Sequence, residues 1–444
     1  MNRRRRLLPT AVVTVLGVGL FLAGGLGLAP PGGGGQAASE ATAGDGGEAG
    51  VGLSADIRGL QAHLKAAPGD APAMASLGLA YIQQAKITAD PSYYPKAEAV
   101  LTRSLSTEPA ENFTAMAGMA ALDAARHDFT TALDWAQKAI AVNPDSSTLY
   151  GILADAYTQL GRYPESFDAV QRMVDLKPGT PSLARASYTW ELRGDTAAAT
   201  ATMKRALDDA NTPADRAFTL YHLSQLALDG GDPKAALTQA ETGLRTAPGT
   251  ASLLEAKAKA ETALGDTAAA VADLQRAVAQ VPQPEYVLEL GDLLQSLGHA
   301  AEAEQQYQVF RSEQKLFTDN GVALDTDAAL FEADHGHPET ALAIAEQGLK
   351  ARPFLETHDA YGWALHVNGR DQEALAQSDE ALALGMRNAL FHYHRAGILQ
   401  GLGRPADART ELETALGINP AFHPLHAPAA RAALAELKGA GSAG

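Results

Sequence analysis

The sequence predicts an all-α solenoid, a superhelix built from about ten stacked helix-turn-helix units, on the strength of three observations. From Leu53 onward, apolar residues recur at spacings of three and four, as they do on amphipathic helices. Glycine and proline interrupt this pattern at a regular period of about 34 residues. Aromatic residues make up only 6% of the chain, while alanine and leucine are abundant, which favours helices packed through small side chains.

The N-terminal 29 residues have the pattern of an export signal. Four arginines, Arg3 to Arg6, precede a long apolar stretch. The apolar part, residues 11–29, is also long enough to span a bilayer as an uncleaved anchor. The sequence therefore predicts a protein that is either secreted or anchored to the cytoplasmic membrane with the rest of the chain outside, and it leaves cleavage open.

Residues 30–52 are rich in glycine, alanine, proline and acidic side chains and show no apolar period. Such a composition cannot bury enough surface to fold, so we expect a disordered linker. Residues 53–70 regain the helical spacing and are expected to form an N-terminal capping helix before the first unit.

Each of the ten units is expected to be a helical hairpin. The units start near residues 71, 113, 147, 180, 217, 251, 284, 322, 355 and 389. The fifteenth position of most units is glycine, which can adopt the left-handed conformation that ends a helix: Gly161, Gly194, Gly231, Gly265, Gly298, Gly336, Gly369 and Gly403. Proline near the end of most units stops the second helix: Pro109, Pro144, Pro178, Pro248, Pro282, Pro353 and Pro420. One hairpin cannot bury its apolar face alone, so neighbouring units must stack.

The third unit, YGILADAYTQLGRYPESFDAVQRMVDLKP, carries the most complete pattern. It resembles the tetratricopeptide repeat in its large apolar, small, aromatic, glycine and proline positions: Tyr150, Leu153, Ala154, Tyr157, Gly161, Tyr163 and Pro178. The resemblance extends over residues 71–420 and implies an α-α superhelix. A C-terminal capping helix over 421–438 and a disordered tail over 439–444 are expected to follow. As a whole, the chain is similar to exported bacterial tetratricopeptide proteins of no assigned activity.

Some units depart from the pattern. The first carries about seven extra residues around 87–95, which we expect to lengthen the turn between its helices. The second has His127 in place of the turn glycine, and the seventh and ninth lack the terminal proline. Local irregularities are therefore expected near 87–95, 312–321 and 385–388.

Charge and cysteine content exclude several functions. The formal net charge of −17 predicts repulsion from nucleic acid and from anionic membrane surfaces, so membrane contact is expected only through the N-terminal anchor. The chain has no cysteine, which excludes disulfides, thiolate zinc sites and cysteine nucleophiles.

No catalytic motif occurs in the sequence. There is no GxSxG elbow, HExxH helix or phosphate-binding loop, and the repeats leave no stretch for a catalytic domain. We therefore expect no enzyme activity, no catalytic residue and no cofactor. A carbohydrate or cell-wall enzyme built on the solenoid would need two carboxylates roughly 5 to 9.5 Å apart across one groove.

Histidines concentrate in the C-terminal units. Eight of the twelve follow residue 330: His335, His337, His358, His366, His392, His394, His423 and His426. They suggest an alternative function, an extracytoplasmic small-ligand or metal-binding protein. The repeat phase places them on different helix faces and beside turns, so the sequence predicts no metal site.

The resemblance implies that the first helix of each unit lines the concave face of the superhelix. The predicted partner-binding residues on this face are Tyr188, Glu191, Tyr221, Gln225, Lys259, Asp359, Trp363, His366, Tyr393 and Gln400. Aromatic anchors among hydrogen-bonding groups are typical of a groove that binds a peptide segment, and Trp363 with Asp359, His366 and Tyr393 is the preferred patch. Lys259 is nearly the only cation there, so the carboxylate clamp of one subclass of the family is missing. The sequence thus predicts a non-catalytic scaffold or adaptor whose partner is a protein or peptide.

Overall fold

The computed structural model describes residues 45–324 and 326–441. In these ranges the chain forms 22 α-helices and no strand, so the predicted all-α solenoid is confirmed. None of the described helices is both long and apolar enough to cross a membrane. The predicted signal or anchor over residues 1–29, and the first part of the predicted linker, lie outside the described residues.

Twenty of the helices form ten hairpins that follow the order of the ten predicted units, and one further helix flanks them at each end. The helices are α1 (Asp45–Ala66), α2 (Ala71–Thr88), α3 (Tyr93–Thr107), α4 (Phe113–Ala125), α5 (Phe129–Val142), α6 (Ser147–Gln159), α7 (Tyr163–Leu176), α8 (Thr180–Leu192), α9 (Thr196–Asp208), α10 (Pro213–Asp229), α11 (Pro233–Thr246), α12 (Ala251–Leu264), α13 (Thr267–Gln280), α14 (Pro284–Ser296), α15 (Ala300–Asp319), α16 (Thr326–Asp334), α17 (Pro338–Ala351), α18 (Leu355–Val367), α19 (Asp371–Ala381), α20 (Ala389–Gly401), α21 (Pro405–Ile418) and α22 (His426–Gly441).

The flanking helices are longer than predicted. Helix α1 begins at Asp45, inside residues 30–52 where we expected linker, and α22 reaches Gly441, inside the expected tail. Ile57 on α1 is buried in one cluster with Tyr81 of the first unit, and Ala430 on α22 packs against Leu412 of the tenth. Both ends of the solenoid are therefore covered by a helix.

The extra residues of the first unit lengthen a helix and not a turn, so the expectation of an elongated turn is wrong. Helix α2 runs for 18 residues, and only four residues separate it from α3. Apolar burial explains this outcome, because Ile82 and Ala85 in the last turns of α2 are buried. Tyr94, at the start of α3, is buried as well. The irregularity expected near 312–321 is likewise the end of a long helix, the 20-residue α15.

The concave side of the superhelix is formed by the first helices of the units. First helices of most successive units contact one another, for example α2 with α4, α8 with α10 and α18 with α20. Among the described residues, no comparable contact joins second helices of successive units. Because neighbouring units approach each other more closely on the inside of a curve, the first helices must lie inside.

Successive turns of the superhelix touch each other. The backbone N–H of Leu355 donates to the Tyr163 hydroxyl at 3.0 Å, although the two residues are 192 positions apart. Asn419 donates through Nδ2 to the carbonyl of Leu228 at 2.9 Å, across 191 positions. Apolar side chains add to this contact: Phe317 and Val322 join the core of the first unit, and Leu192 joins Phe354 and Phe391. One superhelical turn therefore takes about the length of five or six units of the repeat.

Replacing Tyr163 with phenylalanine tests the contact between turns. Removing the hydroxyl leaves the Leu355 N–H without its partner, so we expect the free energy of unfolding to fall by about 1 to 2 kcal/mol. Urea denaturation followed by circular dichroism measures the change. Tyr157→Phe is the matched control, because the Tyr157 hydroxyl has only an exposed 3.4 Å contact with Gln137. Equal stability losses in the two variants would contradict the assigned role of Tyr163.

Candidate partner-binding face

The concave face of the third and fourth units is held by a buried ion pair. Arg185 of α8 donates through Nε and Nη2 to the two carboxylate oxygens of Asp155 on α6, at 3.0 and 2.7 Å. Lys86 of the first unit interacts electrostatically with the same pair. Burial lowers the pKa of Lys86 to about 7, although the negative charge of Asp155 acts to raise it. The cations at this end of the face are therefore engaged with the protein itself.

The fourth and fifth units contribute tyrosines and carboxylates. Tyr188 is half-buried against the apolar cluster that joins the two superhelical turns. Burial, together with the neighbouring charges of Asp229 and Glu356, raises the pKa of Glu191 to about 8. Gln225 lies beside the Tyr221 hydroxyl at 3.4 Å, and its amide oxygen is buried with no hydrogen-bond partner in the structure. All four predicted residues of these two units are half-buried.

Lys259 stands between carboxylates from two units. Its ammonium lies 3.1 Å from Oε1 of Glu255 on the same helix and 3.0 Å from Oε1 of Glu289 on α14. Burial opposes the charge of Lys259, but the carboxylates of Glu289 and Glu255 outweigh it and raise the pKa of the lysine well above its usual value. Burial in turn raises the pKa of Glu255, which is fully buried.

A third carboxylate completes this group. Oxygens of Glu255, Glu285 and Glu289 lie within 4.8 Å of one another, a spacing that a metal ion can bridge. The Lys259 ammonium already supplies positive charge to two of them. The ammonium thus offsets part of the negative charge of the cluster, and we assign no metal to it. Glu285 and Glu289 were not among the concave residues predicted from the sequence. Their separation of four residues on one helix was the available signal.

The preferred patch of the sequence analysis is not an open surface. Trp363 is 9% exposed and donates through Nε1 to Oδ1 of Asp334 at 2.8 Å. Asp359 is buried and lies 2.8 Å from Nδ1 of His394, whose ring stacks on the Trp363 indole. The packing between units engages both side chains, and their contact with a partner stays a prediction.

The remaining two residues of the patch also have partners within the chain. His366 is hydrogen-bonded to Asp371, and the Tyr393 ring stacks on His426 with its centroid 5.0 Å away. Gln400, at the end of α20, is exposed and does not join them. The predicted residues of units four to six are half-buried, as are His366 and Tyr393, whereas Asp359 and Trp363 are buried.

Only some of the C-terminal histidines come together. His423 and His335 both approach Asp292, at 3.3 and 3.7 Å, and His426 approaches Asp334 at 3.0 Å. The others pair elsewhere, as His392 does with Glu411. Each converging ring thus faces a carboxylate and not a shared central point. This arrangement does not favour the metal-binding alternative.

A family model described as tetratricopeptide repeat matches residues 115–181, 221–283 and 255–315. Over these residues the chain is similar to the tetratricopeptide repeat family. The hairpin geometry over these residues agrees with the match, since the first matched stretch spans helices α4 to α7 and the other two together span α10 to α15. Tetratricopeptide repeats generally mediate protein–protein interactions. No curated protein sequence matches the chain.

Three solved structures to which the chain is similar are distant from it in sequence. The Cut9–Hcn1 hetero-tetramer of the APC/C has 14% identity and a TM-score of 0.42, with 88% of this chain and 83% of that chain covered. A human IFIT1 dimer with m7Gppp-AAAA has 16% identity and a TM-score of 0.46, with 71% of each chain covered. A tetratricopeptide repeat protein from Parabacteroides merdae has 17% identity and a TM-score of 0.34, with 58% of this chain and 98% of that chain covered.

Proposed function

We propose that this tetratricopeptide repeat protein is a non-catalytic scaffold that acts outside the cytoplasmic membrane and binds a basic segment of a protein partner on the concave face of units four to seven. The observation that supports the proposal is the composition of that face. It combines the half-buried tyrosines Tyr188 and Tyr221 with the carboxylates Glu191 and Glu289, while its one lysine, Lys259, is paired with Glu289 and with the fully buried Glu255.

Charge complementarity favours a basic segment. The pKa of Glu191 is raised to about 8 because the side chain is buried beside other carboxylates, so a cation placed there would relieve an unfavourable interaction. The tyrosine rings offer rigid apolar contact area, which is typical of anchor sites for peptides. An acidic face of this kind disfavours nucleic acid as the ligand.

The proposed partner site is tested by a crosslinking pull-down from the envelope fraction of the producing cells. We expect Glu191→Lys to lose a partner that the unmodified protein captures, because it places a cation where the partner's cation binds. Glu241→Lys is the matched control, since Glu241 is exposed on the second helix of the fifth unit. A partner retained by Glu191→Lys would contradict the site, and the capture of no specific partner would contradict the scaffold function.

The proposed location outside the membrane depends on residues 1–29 and needs its own test. Protease treatment of intact cells or spheroplasts should degrade the repeats, and mass spectrometry of the isolated protein should identify its N-terminal residue. An N-terminus within residues 30–40 would indicate cleavage and release, whereas an intact Met1 would indicate the anchored form. Protection of the repeats from protease in intact cells, with degradation only after lysis, would contradict the proposed location.

A further inference from the structure

Residues 420–426, which we call the C-terminal segment, cross the concave face instead of leaving the solenoid. The segment follows the last helix of the tenth unit, yet His423 Nε2 lies 3.3 Å from Oδ2 of Asp292 on α14 of the seventh unit. His426 Nε2 lies 3.0 Å from Oδ2 of Asp334 on α16, 92 positions earlier in the chain. The segment therefore occupies the same side of the repeats on which the sequence predicts a partner.

The two aspartates that receive the segment are positioned by the repeats. The Tyr307 hydroxyl donates to Asp292 at 2.9 Å, and the Trp363 indole donates to Asp334 at 2.8 Å. Burial disfavours the charge of Asp292, but contacts with His335 and His423 outweigh it and hold its pKa well below the usual range. Asp292 therefore stays ionised, and each aspartate keeps one oxygen for a donor supplied by the segment.

Ring contacts complete the fit between the segment and the face. His426 stacks on Tyr393 with centroids 5.0 Å apart, and Phe422 contacts the same tyrosine at 5.8 Å. His423 in turn stacks on His426 at 4.4 Å. The segment thus presents one aromatic and two imidazole rings to the patch on which the sequence predicts peptide binding.

The conformation of the segment fixes which ring nitrogen donates. His423 Nδ1 accepts the backbone N–H groups of Leu425 and His426, at 3.2 and 3.4 Å. The proton of the neutral ring must then be on Nε2, which faces Asp292. Burial lowers the pKa of His423, against the attraction of Asp292, so the neutral donor form is favoured.

The segment and the helix that follows it are attached to the solenoid in different ways. Helix α22 is held by apolar packing, with Ala430 buried against Leu412. The segment is held by polar groups that solvent still reaches, since the side chains of His423 and His426 are 25% and 13% exposed. Partly exposed polar contacts exchange readily with those of a competing ligand, whereas apolar packing keeps α22 in place.

We propose that the C-terminal segment is an internal ligand of the concave face of units seven to ten. It covers a docking site for peptides that carry an aromatic ring followed by two imidazole donors, in the order of Phe422, His423 and His426 in the segment. This docking site adjoins the proposed partner site at unit seven, where Asp292 and Glu289 lie on the same helix, but its evidence does not depend on that site.

The probe is a fluorescein-labelled synthetic peptide with the sequence of residues 418–430, titrated against the full-length protein and followed by fluorescence anisotropy. The internal segment is present at a high effective concentration, so the unmodified protein should bind the peptide weakly. In the double variant His423→Ala, His426→Ala the site is vacated, and we expect the Kd for the peptide to fall at least tenfold. His299→Ala is the control, because His299 forms an exposed pair with Glu302 away from the segment.

Three further measurements decide the interpretation. Adding Asp292→Asn and Asp334→Asn to the double variant should abolish the gained binding, and a peptide with alanine at both histidine positions should not bind. In the full-length Asp334→Asn variant, hydrogen exchange should accelerate in residues 419–426 and remain unchanged in α4 to α7. This variant tests the proposal even if the double variant does not fold.

Several outcomes would overturn the proposal. A folded double variant that binds the peptide no better than the unmodified protein would show that the segment does not cover a docking site. Unchanged exchange of residues 419–426 in Asp334→Asn would show that the aspartate does not hold it. A dimer of the unmodified protein that disappears in the double variant would assign the segment to a second copy. None of these results bears on partner capture through Glu191.

Discussion

Replacing Gly194 with alanine is expected to lower the free energy of unfolding by about 3 kcal/mol or more, whereas the same change at Gly369 should cost only about 1 kcal/mol. Both glycines occupy the fifteenth position of their unit and have the same backbone φ of +74°. The conformational cost of a Cβ atom is therefore matched. The two positions differ in what an added Cβ atom would contact outside its own hairpin. A Cβ on Gly194 would collide with the backbone carbonyl of Gly385, while a Cβ on Gly369 meets no atom within 4 Å.

Urea denaturation of the two variants measures the difference in stability, and small-angle X-ray scattering measures whether the superhelix opens. If the clash is relieved by separating the turns, Gly194→Ala should increase the radius of gyration and Gly369→Ala should not. Gly161→Ala is expected to behave like Gly194→Ala, because its Cβ would meet the carbonyl of Pro353. Similar stability losses at positions 194 and 369, with no change in dimensions, would mean that the contact between turns is absent in solution.

Replacing Glu313 with glutamine is expected to stabilise the protein, and the gain should grow with pH. Glu313 is 2% exposed and lies between Phe310 and Phe317 on the buried face of α15. Burial alone raises the pKa of its carboxyl to about 9, from a usual value of 4.5. Below pH 4.5 the group is protonated in both the folded and the unfolded protein, so it has no effect on the pH dependence. Between pH 4.5 and 9 only the unfolded protein ionises, and each pH unit favours unfolding by about 1.4 kcal/mol.

Glutamine resembles the protonated carboxyl in shape and cannot ionise, so the stability of Glu313→Gln should lack this pH-dependent loss. At pH 7 we expect the variant to be more stable by about 3 kcal/mol, and near pH 4 by about zero. Urea denaturation at pH 4, 6 and 8 provides the comparison. Glu304→Gln on the same helix is the control for charge removal, because its side chain is 54% exposed. A difference between Glu313→Gln and the unmodified protein that is constant with pH would contradict the assignment.

The repeated hairpins of this protein could be predicted from its sequence. Apolar spacing fixes where each helix buries its face, glycine at the fifteenth position allows the left-handed turn, and proline ends the second helix. These are local effects, so the order of the ten hairpins could be predicted from single stretches of about 34 residues. The repeat position fixes the turn even without glycine, because His127 adopts a left-handed φ of +63° where most other units have glycine.

The contacts between distant units could not be predicted from the local sequence pattern and are seen only in the tertiary structure. The pairing of Tyr163 with Leu355, and the path of His423 to Asp292, join residues whose separation depends on the pitch of the whole superhelix. Small rotations between neighbouring units add up to that pitch, and no single unit specifies it. For this reason the sequence correctly placed Trp363 and Tyr393 on first helices of their units but could not reveal that the packing between units, and the chain's own C-terminal segment, already occupy them.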